Sequence, residues 1–302
     1  MRCSSVLPSA LLAVLLGGLC LGPARPVSPR GPYARWRTNQ ILDKAAGLRF
    51  PGPDLTRQDI RIVTDVPYGA GERKLDLYLP CHPECPVVVF VHGGSWISED
   101  KALYGRLGEF LAVHGVGAVL VNYRLPPEVN VEGELQDVAG ALRWTLENCP
   151  TWGGDPRRLF LCGHSAGAHL VATLACNPAF LAAANLAPDV IRGVIAISGV
   201  YRIGWNVVWH GTGYVFRGVD RRAVSPLEHT RPGLPAFLVI YAERDDAYKI
   251  KQARTFHGRL VEAGAESELY EVPGEDHYGT IIHLGRPNAP QGGRILEFVR
   301  QH

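Results

Sequence analysis

The chain contains no Asn-x-Ser/Thr sequon, so N-linked glycosylation is not expected even on entry into a secretory pathway. It has no block of basic residues either. Its 31 Lys and Arg oppose 29 Asp and Glu, for a formal net charge of +2, and they are spread along the sequence. That pattern excludes the electrostatic footprint of a nucleic-acid binder and a polybasic membrane anchor. Small uncharged or weakly charged molecules fit such a surface better as partners. No His/Cys spacing resembles a zinc site, and no internal repeat or low-complexity array is visible. No metal or organic cofactor is expected.

One long apolar run stands near the start. Arg2 precedes residues 6–21, and Gly22, Pro23 and Ala24 follow with the small residues a processing site uses. Pro8 interrupts the run, which is marginal for a bilayer span. Residues 1–24 are therefore expected to be a signal peptide, or alternatively an uncleaved anchor. Either places the protein in the secretory pathway, secreted or in the lumen of the endoplasmic reticulum, with membrane proximity only through this segment. Residues 25–58, rich in Pro, Gly and Arg, are read as a surface segment or partial cap. Residues 59–302 form the expected catalytic domain.

Removing the leader leaves Cys81, Cys85, Cys149, Cys162 and Cys176, an odd number that cannot all pair within one chain. Cys81 and Cys85 are the easiest to join in an oxidising compartment, the alternative being two unpaired thiols. Cys162, in an apolar run, is expected to be a small core residue.

A hydrophobic fraction of 46% against 20% charged residues supplies a substantial core without the signature of a membrane bundle. Residues 60–64 and 74–79 alternate apolar and polar around a Gly-containing turn, as an antiparallel hairpin at a sheet edge does. The apolar runs 86–91, 117–122, 159–162, 193–197 and 236–241 are continuous, the pattern of parallel strands buried on both faces. A further strand-like stretch covers 268–272. Helical stretches at 101–113, 134–148, 166–176 and 249–264 are long enough for right-handed crossovers, and a last helix covers 294–300. The fold class is α/β, a three-layer sandwich around a mostly parallel sheet, with its site beyond the carboxyl ends of the strands.

Gly163-His164-Ser165-Ala166-Gly167 lies between a strand and a helix, the setting a nucleophile elbow requires. Side chains at Gly163 and Gly167 would strike the neighbouring backbone. The Ala166 N–H, at the helix start, points where charge develops on an attacked carbonyl. His92-Gly93-Gly94-Ser95-Trp96 directly follows the strand 86–91, where the second half of an oxyanion hole belongs, and Gly93 and Gly94 are its candidate donors. His92 is expected to hold the loop, and Trp96 either to line the substrate pocket or to pack beneath it.

A serine nucleophile needs a base and a carboxylate, and the chain order Ser, acid, His is met by Ser165, Asp245 and His277. Asp245 follows the strand 236–241, with Asp246 and Glu243 as rivals. His277 follows 268–272, with His257 and His283 as rivals lacking that strand-end position. The expected chemistry is an acyl-enzyme on Ser165, with His277 as base and Asp245 stabilising the imidazolium.

Together, His92-Gly-Gly-Ser-Trp96, Asn122-Tyr-Arg-Leu-Pro-Pro127, Gly153-Gly-Asp-Pro156 and Gly163-His-Ser-Ala-Gly167 resemble the esterase/lipase branch of the α/β-hydrolases over residues 58–302. Within it the chain resembles the smaller enzymes that include kynurenine formamidase and the prenylcysteine methylesterases, through the run Gly163 to His169. The resemblance implies architectural roles for Tyr123-Arg124 and Gly154-Asp155-Pro156. The larger esterases carry a third glycine where this chain has Ser95. An insertion before the strand at 236 is rich in aromatics, Tyr201, Trp205, Trp209, Tyr214 and Phe216, which would wall a pocket for a hydrophobic ester, an aryl formamide or a prenyl group, or pack the insertion on the core. The expected activity is carboxylic ester hydrolysis. The alternatives are an aryl formamidase, a prenylcysteine methylesterase, and a binding protein that keeps the fold without catalysis.

Overall fold

The computed structural model describes residues 60–204, 207, 212–286 and 289–302. Residues 1–59, which include the expected signal peptide and the segment 25–58, and Trp205 and Trp209 of the insertion lie outside the described residues.

Eight strands form one sheet in the order β1-β2-β4-β3-β5-β6-β7-β8. β1 (Ile60–Pro67) and β2 (Lys74–Pro80) pair antiparallel, and β2 pairs antiparallel with β4 (Gly117–Val121). From β4 onward every pairing is parallel: β3 (Cys85–Val91), β5 (Gly154–His164), β6 (Gly193–Ile197), β7 (Ala236–Ala242) and β8 (Ser267–Val272). The continuous apolar runs have the cause expected of them. Val87, Val89 and Val91 face one hydrophobic layer while Val88 and Phe90 face the other, so a strand between two helical layers cannot alternate.

The first layer comprises α2 (Val131–Asn148), α3 (Ala166–Cys176) and α5 (Ala247–Glu262), and the second comprises α1 (Gly105–Val113) and α7 (Pro290–Gln301). Two short helices, α4 (Pro178–Ala183) and α6 (Gly279–Ile282), are additional. α2 starts before the expected residue 134 because the Asn130 side chain caps it, accepting from the N–H groups of Glu132 and Gly133. α7 starts at Pro290, whose fixed φ suits a first helical turn.

The hairpin is less exposed than its alternation suggests. Of its two strands only β1 lies at the edge of the sheet. β2 is buried along its length after Lys74, and its Asp76 is matched by Lys101 Nζ at 2.7 Å, which also meets Asp65 at 2.8 Å. A buried carboxylate paired in this way costs far less than an isolated one. The expected Cys81–Cys85 bond is not formed. The Cys85 thiol is buried at the start of β3 and donates to the Gly153 carbonyl at 3.4 Å.

Candidate active site

The carboxyl ends of β3, β5, β7 and β8 share one edge of the sheet, and the four loops leaving them build the site. The register brings Val91 beside Gly163 and His164 beside Ile197, which sets the loop after β3 against the end of β5.

Ser165 stands between β5 and α3 with φ 55° and ψ −114°, a conformation L-residues avoid. Its N–H donates to the Ile197 carbonyl at 2.8 Å, which ties the turn to β6. A Cβ on Gly167 would lie 2.0 Å from the Val91 carbonyl oxygen, and one on Gly163 would lie 2.4 Å from the Gly167 carbonyl carbon. The two glycines are therefore steric requirements of the elbow.

The three residues expected to act together are brought together. The Ser165 hydroxyl donates to His277 Nε2 at 3.0 Å, and His277 Nδ1–H donates to the Asp245 carboxylate at 3.1 Å. Burial alone would raise the Asp245 pKa. The hydrogen bond and charge of His277, with the charge of Lys249 at 3.6 Å, outweigh that and hold it down to about 2. The rivals face elsewhere. Asp246 caps α5 by accepting the Lys249 N–H, and Glu243 accepts the Gly274 N–H. His257 bonds Ser267, and His283 bonds Glu275.

The loop after β3 lies directly over the elbow: a Cβ on Gly93 would be 3.2 Å from Ser165 Cβ. Gly94 has φ 93°, and a Cβ there would meet the Ser98 carbonyl at 2.1 Å. Ser95, where larger esterases carry a third glycine, takes φ 55° and Trp96 takes φ 62°, so the left-handed path continues without glycine. The Tyr104 hydroxyl, buried beneath this loop, donates to Glu99. Gly93, Gly94 and Ala166 remain the oxyanion candidates.

His92 fastens this loop as expected. It bonds the Gly93 carbonyl at 3.1 Å and stacks on Tyr123 at 4.4 Å, and the Tyr123 hydroxyl donates to the carbonyls of His92 and Gly93. Burial lowers the His92 pKa to about 4. Trp96 is 5% exposed, its indole N–H donates to His169 Nδ1 at 3.1 Å, and it packs edge-on against Phe216. His169 Nε2 donates in turn to the Val224 carbonyl, so Trp96 and His169 join the loop, α3 and the insertion.

Three contributors escaped the sequence reading. His164 bonds the His277 carbonyl, Thr280 donates to the same oxygen, and Lys249 faces Asp245. Of these, His164 lies inside the elbow motif Gly163-His164-Ser165-Ala166-Gly167, whereas Thr280 and Lys249 lie in no motif.

An elbow serine, a strand-end acid and base, and a glycine-lined loop over a parallel sheet define an α/β hydrolase. The family described as alpha/beta hydrolase fold matches residues 88–280, and the chain belongs to it. Its relatives place it in the esterase branch. An esterase of Mycobacterium tuberculosis, LipQ, is 30% identical over 255 residues, covering 76% of this chain and 59% of that protein. A probable isoprenylcysteine alpha-carbonyl methylesterase of Oryza sativa is 29% identical, covering 79% and 63%. The kynurenine formamidase of Danio rerio is 28% identical, covering 85% and 88%. The chain thus spans about three fifths of the first two relatives and most of the third. Among solved structures, esterase B of Lactobacillus rhamnosis shares the fold with a TM-score of 0.72 at 21% identity, over 89% of this chain and 95% of that one.

Proposed function

We propose that the protein hydrolyses a carboxylic ester of a small molecule through an acyl-enzyme on Ser165. One observation carries the reading: Asp245, His277 and Ser165 form an unbroken hydrogen-bonded line, at 3.1 and 3.0 Å, ending on a strained elbow. With its Nδ1 proton facing the carboxylate, His277 presents a lone pair at Nε2 to the serine hydroxyl. As Ser165 Oγ attacks the carbonyl carbon, His277 takes its proton and Asp245 stabilises the imidazolium. N–H groups from the candidate set Gly93, Gly94 and Ala166 receive the negative charge on the carbonyl oxygen, each donor worth about 3–4 kcal/mol of barrier. The imidazolium then protonates the departing alcohol, and water returns Ser165 by the reverse path.

A second reading, hydrolysis of an aryl formamide, draws support from the 88% coverage of the Danio rerio kynurenine formamidase. It uses the same groups and differs only in the bond cleaved. Phe216, packed against Trp96, and Tyr214, 46% exposed, give the insertion an aromatic character that suits an apolar acyl or aryl group. The test compares kcat/KM for short-chain nitrophenyl esters, a prenylcysteine methyl ester and an aryl formamide, using residues 25–302. Esters as the best substrates support the proposal. A formamide preferred by tenfold or more supports the second reading, and absence of turnover on all three contradicts both.

A further inference from the structure

We propose that His164, the residue immediately before the nucleophile, is a positioning residue that clamps the loop of the base His277 to the nucleophile elbow. This rests on the reading of Ser165 and His277 above and adds a group to it. The His164 Nε2 lies 2.9 Å from the backbone carbonyl oxygen of His277, across 113 residues of chain. A carbonyl oxygen only accepts, so the proton of the His164 ring is on Nε2 and the ring donates. The two imidazoles lie side by side, with centroids 4.8 Å apart and a 42° tilt.

The consequence is two consecutive residues gripping one histidine. His164 holds the backbone of His277, and Ser165 meets its ring at 3.0 Å. The same carbonyl also accepts from the Thr280 hydroxyl at 2.8 Å. Thr280 belongs to the base's own stretch of chain and shapes it locally, whereas His164 fixes that stretch relative to β5. Any drift of the loop after β8 would open the distance between Ser165 Oγ and His277 Nε2, the distance that proton transfer depends on.

His164 is suited to this task and to no proton transfer of its own. It is 1% exposed, and among the described residues its Nδ1 has no hydrogen-bond partner. Ionising the ring would bury an unpartnered N–H and a charge next to His277. Burial, followed by the proximity of His277, accordingly pushes its pKa down to about 3. The ring therefore stays neutral at working pH and leaves the Ser165 proton to His277.

The experiment compares His164→Leu and His164→Met, which fill the space without a donor, with His164→Gln, whose amide N–H reaches to a similar distance. Steady-state ester hydrolysis, the rate of covalent labelling by a fluorophosphonate and thermal unfolding are measured for each beside the wild type. The donor-free variants are expected to lose kcat by about ten- to a hundredfold with KM within a factor of three. Their labelling rate should fall in parallel, and Gln should restore both to within about threefold. A folded donor-free variant with kcat within threefold of wild type overturns the proposal, as does a Gln variant as slow as Leu. Failure of both donor-free variants to fold, with Gln folded and active, would make His164 merely structural and also overturn it. A wild type that neither turns over nor labels would remove the reading of Ser165 itself, a result distinct from these.

Discussion

The hydroxyl of Ser165 and Nε2 of His277 face each other at 3.0 Å although 112 residues separate them in the chain. β5 delivers one and the loop after β8 the other, and two further parallel strands, β6 and β7, lie between those strands in the sheet. The distance is a property of the whole sheet, which is why substitutions well away from the reacting atoms are expected to disturb it.

Asp245→Asn keeps the shape of the acid but offers His277 an uncharged partner that also allows the wrong tautomer. We predict that kcat falls by about 10³–10⁴-fold, as in other enzymes with this arrangement, with little change in KM. Asp246→Asn, at a side chain that caps α5 and meets Lys249, should change kcat less than threefold. Steady-state kinetics on the two variants separates the neighbours, and equal losses would reassign the acid.

Gly167→Ala would place a methyl group 2.0 Å from the Val91 carbonyl oxygen. The three nearest atoms all belong to the backbone of Val91 and His92, so no flexible side chain is there to yield. The variant should lose at least about 3 kcal/mol of stability, seen as a lower denaturant midpoint, and should lose esterase activity. Gly264→Ala is a useful control: its site is open but its φ is 76°, so it should cost only about 1 kcal/mol.

Three buried histidines make the protein acid-labile. His92, His164 and His169 are held by burial to pKa values of about 4, 3 and 4, whereas in the unfolded chain they ionise near about 6.5. Between these values the unfolded state binds the extra protons, so stability falls as pH drops. Near pH 5 the slope from the three approaches about 4 kcal/mol per pH unit, partly offset by buried Glu134, which binds a proton only in the folded state there. Urea midpoints should therefore decline from pH 6.5 toward pH 4. A flat profile would mean that these rings ionise in place.

Glu134 works in the opposite direction at higher pH. It is fully buried on α2, and among the described residues neither carboxyl oxygen has a partner. Burial, then the nearby Asp137, raises its pKa well above the ordinary carboxylate value. Above about pH 4.3 the unfolded chain has released a proton that the folded protein retains, so this group destabilises increasingly as pH rises. Glu134→Met should raise stability at pH 8 by about 2 kcal/mol, and by less at pH 5. Calorimetry at the two pH values tests this, and a lower melting temperature at pH 8 would contradict it.

Much of the architecture could be read from residues whose pattern is forced by local surroundings. Strands covered on both faces have no alternation to show, so β3 to β7 stand out as unbroken apolar runs. The elbow is legible because Gly-x-Ser-x-Gly between a strand and a helix leaves few other conformations. Contacts between distant segments leave no such trace. The bond from His164 to the His277 carbonyl joins the end of β5 to a loop that nothing in the sequence pairs with it. Burial of β2 was hidden because Asp76 reads as a solvent-facing charge until Lys101 is brought to it. The helix starts at Val131 and Pro290 were displaced by capping and by proline at a first turn, effects of one or two residues that periodicity averages away.

Ser165 as the nucleophile of an ester hydrolase is tested by the hydrolysis of a short-chain nitrophenyl ester by residues 25–302, beside the Ser165→Ala variant, with the mass of the wild-type protein recorded after exposure to a fluorophosphonate. Turnover and a single phosphonyl adduct on the Ser165 peptide, both absent from the variant, are the predicted results. Equal turnover by the two proteins, or an adduct on another residue, would contradict the account.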